Sequence, residues 1–366
     1  MPPDANTIHS TPGPGSGDAV PHRRRLRYRG THPRRFEEKY KELNPDQYPD
    51  TVQKVMASGK TPAGLHRSIC VQEILEILAP KPGETAVDAT LGYGGHAREI
   101  LKRVLPGGRL IGLDVDPLEL PKTEARLRTP EIPPGALTAI HTNFAGMARA
   151  LAGAGIQGVD MVLADLGCSS MQLDDPQRGF SYKQKGPLDL RMNPQKGQPV
   201  SVLIKTLSEA RLAQIFSENA DEPHASEIAA AIVEARTRHS IETTSDFSGV
   251  VRRSLATTSL GRNKEEMDTC LKRVFQALRI EVNDEFGALD AFLRFLPPCL
   301  APGGRVAILS FHSGEDRRVK KWFEAGLRAG EYKNIAREVI RPSPEEIHSN
   351  PRSSSAKLRW AIRAKG

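Results

Sequence analysis

The feature that most constrains this chain is an alternation of apolar runs and amphipathic stretches between residues 85 and 165. Thr85–Thr90, Arg109–Asp114, Leu137–His141 and Val159–Asp165 are runs of strand length and composition. His96–Val104, Pro117–Leu127 and Met147–Leu151 lie between them with helical spacing. Strands alternating with helices are joined by right-handed crossovers, which makes a parallel sheet with helices on its faces. Upstream, Ile69, Ile74, Leu75 and Leu78 suit one face of a helix stopped by Pro80 and Pro82. From about residue 173 to 260 the strand pattern is absent, and 208–218, 224–238 and 245–256 read as helices. Met267, Leu271, Val274, Leu278, Val282, Phe286, Leu289 and Leu293 continue the helical spacing, as one bent helix or two. Strand pattern returns at Arg305–Phe311, behind Pro302-Gly303-Gly304, and is expected again at Glu338–Ile340 and Lys357–Ile362. The expected architecture is an α/β domain of residues 61–172 and 281–366 with an inserted helical domain at 173–280.

Residues 1–60 are an extension to that plan. The first 21 are rich in Pro, Gly, Ser and Thr, a composition that does not support a packed core. His22, Arg23, Arg24, Arg25, Arg27 and Arg29 follow with Tyr28 among them, an arm suited to phosphates and a stacked base, or else a solvated linker. The whole chain carries a formal charge of +8 with a pI near 9.3, a surplus that favours a polyanion or simply covers the surface. The 4 cysteines are scattered without zinc spacing, so no metal site is expected and a reducing cytoplasm fits. Every apolar run falls short of the roughly 18 residues needed to span a bilayer, and the N-terminus lacks the apolar core of a secretory signal.

In open α/β sheets ligands bind at the carboxyl ends of strands. The first strand ends in Asp88-Ala89-Thr90-Leu91-Gly92-Tyr93-Gly94-Gly95-His96, a glycine turn that lets a ligand approach the backbone at a helix N-terminus. The second ends in Asp114, placed 20 residues beyond Gly94, where an acid can accept both ribose hydroxyls of an adenosine. Asp116 is the better N-cap before Pro117, which leaves Asp114 free for that role. The third strand ends near Phe144, an aromatic for an adenine, and the fourth in Asp165-Leu166-Gly167-Cys168-Ser169-Ser170-Met171-Gln172. The dinucleotide fingerprint needs Gly-x-Gly-x-x-Gly, and here Gly92-x-Gly94-Gly95 runs into His96. That spacing, with Asp88 inside the first strand, favours S-adenosylmethionine over a nicotinamide dinucleotide.

These residues resemble the ribosomal RNA small subunit methyltransferase H family. The resemblance runs from His66-Arg67-Ser68-Ile69 through Asp88–His96 and Asp165–Asp174. It continues through Arg178-Gly179-Phe180-Ser181-Tyr182, Gly186–Met192, Val274–Ile280, Ser310–Arg317 and Asn350–Arg359. It implies a class I, Rossmann-like S-adenosylmethionine-dependent methyltransferase sheet with an inserted helical domain. It also implies methylation of the exocyclic N4 of a cytidine in 16S ribosomal RNA, within the small subunit. Its cofactor contacts fall on Gly94, Gly95, His96, Asp114, Phe144, Asp165 and Gln172. The chain departs from the family at Asn193, at Glu222-Pro223-His224-Ala225-Ser226 and at Lys272-Arg273, all on the substrate side.

The lone pair of a cytosine amino group is delocalised into the ring, so an acceptor for one N–H is wanted. Asp165, Ser169 and Ser170 are the candidates. Cys168 reads as a small buried residue rather than a nucleophile, because N4 methylation needs no covalent intermediate. Substrate contacts are expected from Asp189 and Arg191, from His312 and from Arg352, Ser353 and Ser354, with a loop-ordering pair, a structural hydrogen bond and a turn as the respective alternatives. The alternatives for function are an amino methyltransferase on another RNA and an NAD-dependent oxidoreductase. A homodimer is a further possibility.

Overall fold

The computed structural model describes residues 68–256, 258, 261 and 263–365. The basic arm around Tyr28 and the rest of the extension lie outside them. The expected alternation is present as β1 (Thr85–Asp88), α2 (Gly95–Val104), β2 (Arg109–Asp114), α3 (Leu120–Leu127), β3 (Leu137–His141), α4 (Met147–Gly153) and β4 (Val159–Asp165), preceded by α1 (Val71–Leu78). After the helical segment come β5 (Leu300–Ser310), α12 (Ser313–Arg328), β6 (Tyr332–Ile335), α13 (Pro344–Ser349) and β7 (Lys357–Arg363). The 7 strands form one sheet in the order β3-β2-β1-β4-β5-β7-β6. β1 to β5 pair in parallel, while β7 runs antiparallel to both β5 and β6. The order reverses between β1 and β4, and there the carboxyl ends open a crevice.

Successive residues of each central strand feed opposite faces. Ala86, Leu110, Met161, Leu163, Ala307 and Leu309 pack under α1, α2 and α3. Val87, Ile111, Val162, Ala164, Val306 and Ile308 pack on the other face against α4, α11 (Glu285–Cys299) and α12. Both faces are buried, which explains why the strands read as continuous apolar runs.

Between β4 and β5 the chain is helical: α5 (Ser170–Asp174), α6 (Val200–Thr206), α7 (Glu209–Ala220), α8 (Ala225–Arg238), α9 (Thr244–Ser254) and α10 (Lys264–Asn283), then α11. The apolar faces of α6 to α10 close a separate core running from Leu188 to Leu278, with Phe216, Phe247 and Phe275 inside it. The long helical pattern proves to be two helices. Asp284 at φ 48° sits in the left-handed region, ending α10 and starting α11.

One expected strand is misplaced by the sequence pattern. Glu338–Ile340 contributes only an isolated bridge from Ile340 to Leu358, and the edge strand is 332–335. Tyr332 and Ile335 point inward while Lys333 and Asn334 point out, so only two apolar positions mark it. No helix among the described residues is long and apolar enough to cross a membrane.

Candidate active site

The turn after β1 is built from the backbone outward. Gly94 caps α2 at φ 82°, and a Cβ there would stand 3.0 Å from the side chains of Leu127 and Thr123. Thr123 fixes the turn by donating its hydroxyl to the Gly92 carbonyl at 2.6 Å. The Gly92 N–H donates to Asp114 Oδ2 at 2.7 Å, and the Asp116 N–H to Asp114 Oδ1 at 2.9 Å. Asp114 is therefore not free, as the sequence suggested. Each oxygen is anchored by one backbone donor and keeps a second lone pair, the capacity a ribose diol needs. Burial raises its carboxyl, while those two N–H donors oppose the shift. Asp88 is buried, accepts from the Thr90 N–H at 3.2 Å, and is pushed up to about 6 by burial against the pull of His96.

Asp165 ends β4, its own N–H held by the Thr90 hydroxyl at 2.6 Å. Its carboxylate accepts no hydrogen bond from the described residues; the nearest ring atom is His96 Nδ1 at 3.7 Å. Burial, then the charge of Glu315, pushes the Asp165 carboxyl up to about 7. His96 Nε2 lies 3.0 Å from the Ile69 carbonyl. A carbonyl only accepts, so Nε2 carries the proton and Nδ1 presents its lone pair towards Asp165. Burial lowers the His96 pKa, which keeps the ring neutral in that role.

One cleft of about 2210 Å³ takes in most of the expected site. It is lined by Gly94, Gly95, His96, Asp114, Phe144, Asp165, Ser169, Ser170, Gln172, Arg352 and Ser354. Phe144 is set edge-on to Phe292 at 5.5 Å. Ser169 caps α5, accepting from the Gln172 N–H, and the Gln172 carbonyl oxygen accepts in return from the Ser169 N–H. The Gln172 amide nitrogen donates to Asp116 at 2.8 Å. Asp189, Arg191, His312 and Ser353 do not line the cleft. Asp189 and Arg191 pair with each other at 2.7 Å and order their loop. Ser353 is buried and donates to the Asn350 carbonyl, closing a turn. Arg352 bonds Asp174 at 2.8 Å, and Ser354 donates to the Pro351 carbonyl. The His312 ring lies beside Phe286, with Nε2 3.2 Å from Glu315 Oε1 but outside hydrogen-bond geometry.

Three largely buried groups that the sequence reading did not single out organise the site and its join to the helical segment. Arg178 donates to Asp116 at 2.7 Å and to the carbonyls of Arg191 and Met192, tying the end of β2 to the helical segment. Arg279 makes a two-point pair with Glu285 and lies 3.2 Å from Cys168 Sγ. Glu315 accepts from the Phe311 N–H. Their only sequence signal is a charge set inside the quoted motifs.

The donor set fits S-adenosylmethionine. The cleft presents a carboxylate at Asp165 that accepts no hydrogen bond from the described residues, and at Asp114 one held by two backbone N–H groups, so a bound cation relieves charge that burial has made costly. The glycine turn leaves the start of α2 open to it.

Comparison with known proteins agrees with this reading. Residues 63–364 match the model of the MraW methylase family. Ribosomal RNA small subunit methyltransferase H 1 of Lachnoclostridium phytofermentans is 52% identical, with 94% of this chain and 93% of that protein covered. Ribosomal RNA small subunit methyltransferase H 2 of Alkaliphilus metalliredigens is also 52% identical, with 93% and 97% covered. The sheet is accordingly a Rossmann-like class I methyltransferase sheet, its methyl donor is S-adenosylmethionine, and the chain belongs to the MraW methylase family.

Proposed function

We propose that this enzyme methylates the exocyclic N4 of a cytidine in 16S ribosomal RNA. The observation that carries the reading is the meeting of Asp114 and the unpartnered Asp165 carboxylate in one cleft whose far wall is helical. The relatives' names supply the RNA. When bound, S-adenosylmethionine supplies an electrophilic methyl group on a sulfonium. Gly94, Gly95, His96, Asp114, Phe144, Asp165 and Gln172 are assigned to its binding, Asp114 through the ribose hydroxyls.

The remaining work falls to the chain's own groups. Asp165 accepts an N4–H of the cytosine, localises its lone pair and takes the proton once the new C–N bond has formed. Ser169 and Ser170 stand beside it as further acceptors. Burial holds the carboxyl near neutrality, the range in which a group both takes and releases a proton. His96 Nδ1 is placed to share the captured proton. Cys168 takes no covalent part. Burial pushes its thiol up and so disfavours a thiolate. Holding two reactants in an attack geometry can lower a barrier by about 7–11 kcal/mol. Extruding a base from a stack costs about a few kcal/mol, so an unpaired target is favoured.

The helical residues 173–280 are assigned to substrate recognition, with Asp189, Arg191, His312, Arg352, Ser353 and Ser354 shaping it directly or through the loops they order. The small subunit is the proposed partner and the cytoplasm the proposed site of action. The test is methyl transfer from labelled S-adenosylmethionine to small subunits lacking the modification, followed by nucleoside mass spectrometry. Label in N4-methylcytidine is expected, and label in any other nucleoside overturns the assignment.

A further inference from the structure

The cleft continues past the donor end onto the helical wall. On the donor rim Lys102 pairs with Glu99 at 2.7 Å and Lys122 with Glu119 at 2.8 Å. On the helical rim Lys183 and Lys272 are exposed, line the cleft, and make no ion pair among the described residues.

Lys272, Phe275, Gln276 and Arg279 follow i, i+3, i+4, i+7 along α10, one face of a helix, and all four line the cleft. This face runs from the open rim to the floor at Cys168. Seven residues of helix rise about 10 Å, room for the nucleotide next to one inserted at the floor. Packed against it, Tyr182 lines the same cleft, half-buried, its ring resting on Phe275 at 5.9 Å and its hydroxyl donating to the Asp268 carbonyl at 3.5 Å. Phe275 is backed in turn by Phe247 at 5.4 Å. An aromatic ring braced from behind, with uncompensated cations beside it, has the chemistry of a single-strand platform: the ring stacks a base of any identity and the cations track phosphates.

We propose that Tyr182, Lys183 and Lys272 form a flanking-nucleotide subsite, which stacks the base next to the target and holds its phosphates. This rests on the RNA methyltransferase reading and names where the strand enters. Lys183 and Lys272 supply affinity without sequence preference, and Tyr182 sets the register that delivers the target base to Asp165.

The test uses the full chain saturated with S-adenosylhomocysteine and a fluorescein-labelled oligocytidylate, followed by anisotropy from low to high salt. Single-strand binding loses about 0.7 in log–log salt slope for each phosphate contact removed. Lys183→Gln and Lys272→Gln are each expected to lower the slope by about that amount, and the double variant by about twice it. Lys333→Gln, on the far edge strand, is the control and should leave the slope unchanged. Tyr182→Leu should weaken binding about tenfold at fixed salt, and Tyr182→Phe should restore it. Titration of each variant with S-adenosylhomocysteine shows whether the donor half remains folded. Slopes unchanged in the lysine variants, or lowered equally by Lys333→Gln, overturn the subsite. Wild-type protein that moves no label to RNA removes the underlying function instead, whatever the slopes.

Discussion

At the scale of residues, the site depends on carboxylates kept in a low-dielectric cleft without cationic partners of their own. Asp165 is the sharpest case: burial, Glu315 beside it, and no hydrogen bond to the carboxylate bring it to about 7. A carboxyl raised above its ordinary 3.8 holds its proton in the folded state. Its contribution to stability is complete below about pH 4 and is lost as pH rises through about 7. Catalysis runs the other way, because only the ionised form can take the proton that N4 loses. Single-turnover methyl transfer at saturating donor should rise with pH and level off above about 7. Asp165→Asn should flatten that limb and slow transfer by about 10²–10⁴-fold at saturating donor. An unchanged pH profile in the variant would show that Asp165 is not the acceptor.

At the scale of elements, the buried Asp116–Arg178 pair joins the donor half to the helical half. Asp116 also receives the Leu118 and Glu119 N–H groups ahead of α3 and the Gln172 amide, so its charge is satisfied from three directions. Beyond Arg178 the chain of contacts continues through Met192, whose N–H donates to Asn283 at 2.7 Å at the end of α10. The crossing leaves no slack. Gly179 stands at φ 71°, and a Cβ there would lie 2.1 Å from the Pro187 carbonyl oxygen. Arg178→Ala strands the Asp116 carboxylate in a site only 1% exposed and should cost about 3–5 kcal/mol in urea denaturation. Arg178→Lys keeps the charge but not all three contacts and should cost less.

At the scale of the whole molecule, two cores meet at one cleft: a sheet with apolar residues on both faces and a helical bundle with its own phenylalanine cluster. The donor is expected to bind the folded chain alone. S-adenosylhomocysteine at about 100 times its dissociation constant should add about 2.7 kcal/mol of stability, read as a rise in the thermal midpoint, and NAD at the same concentration should add none. A rise with NAD and none with S-adenosylhomocysteine would contradict the assigned donor.

The sequence by itself determined the parallel sheet, the helical stretch after β4 and the residues at the strand ends, because strand and helix periods and glycine turns are local properties. The motifs likewise singled out Gly94, Gly95, His96, Asp114, Phe144, Asp165 and Gln172, which line one cleft. Tertiary structure decided the rest. Whether 267–293 was one helix or two depended on a single left-handed backbone at Asp284. The edge strand at 332–335 exists because it pairs with β7, and its alternation is too short to stand out. Asp116 meets Arg178, and Arg279 comes within electrostatic reach of Glu315, each pair from distant segments, and which acid is paired and which is left open at Asp165 follows from that packing. Burial and charge compensation are properties of neighbours in space, and no local pattern encodes them.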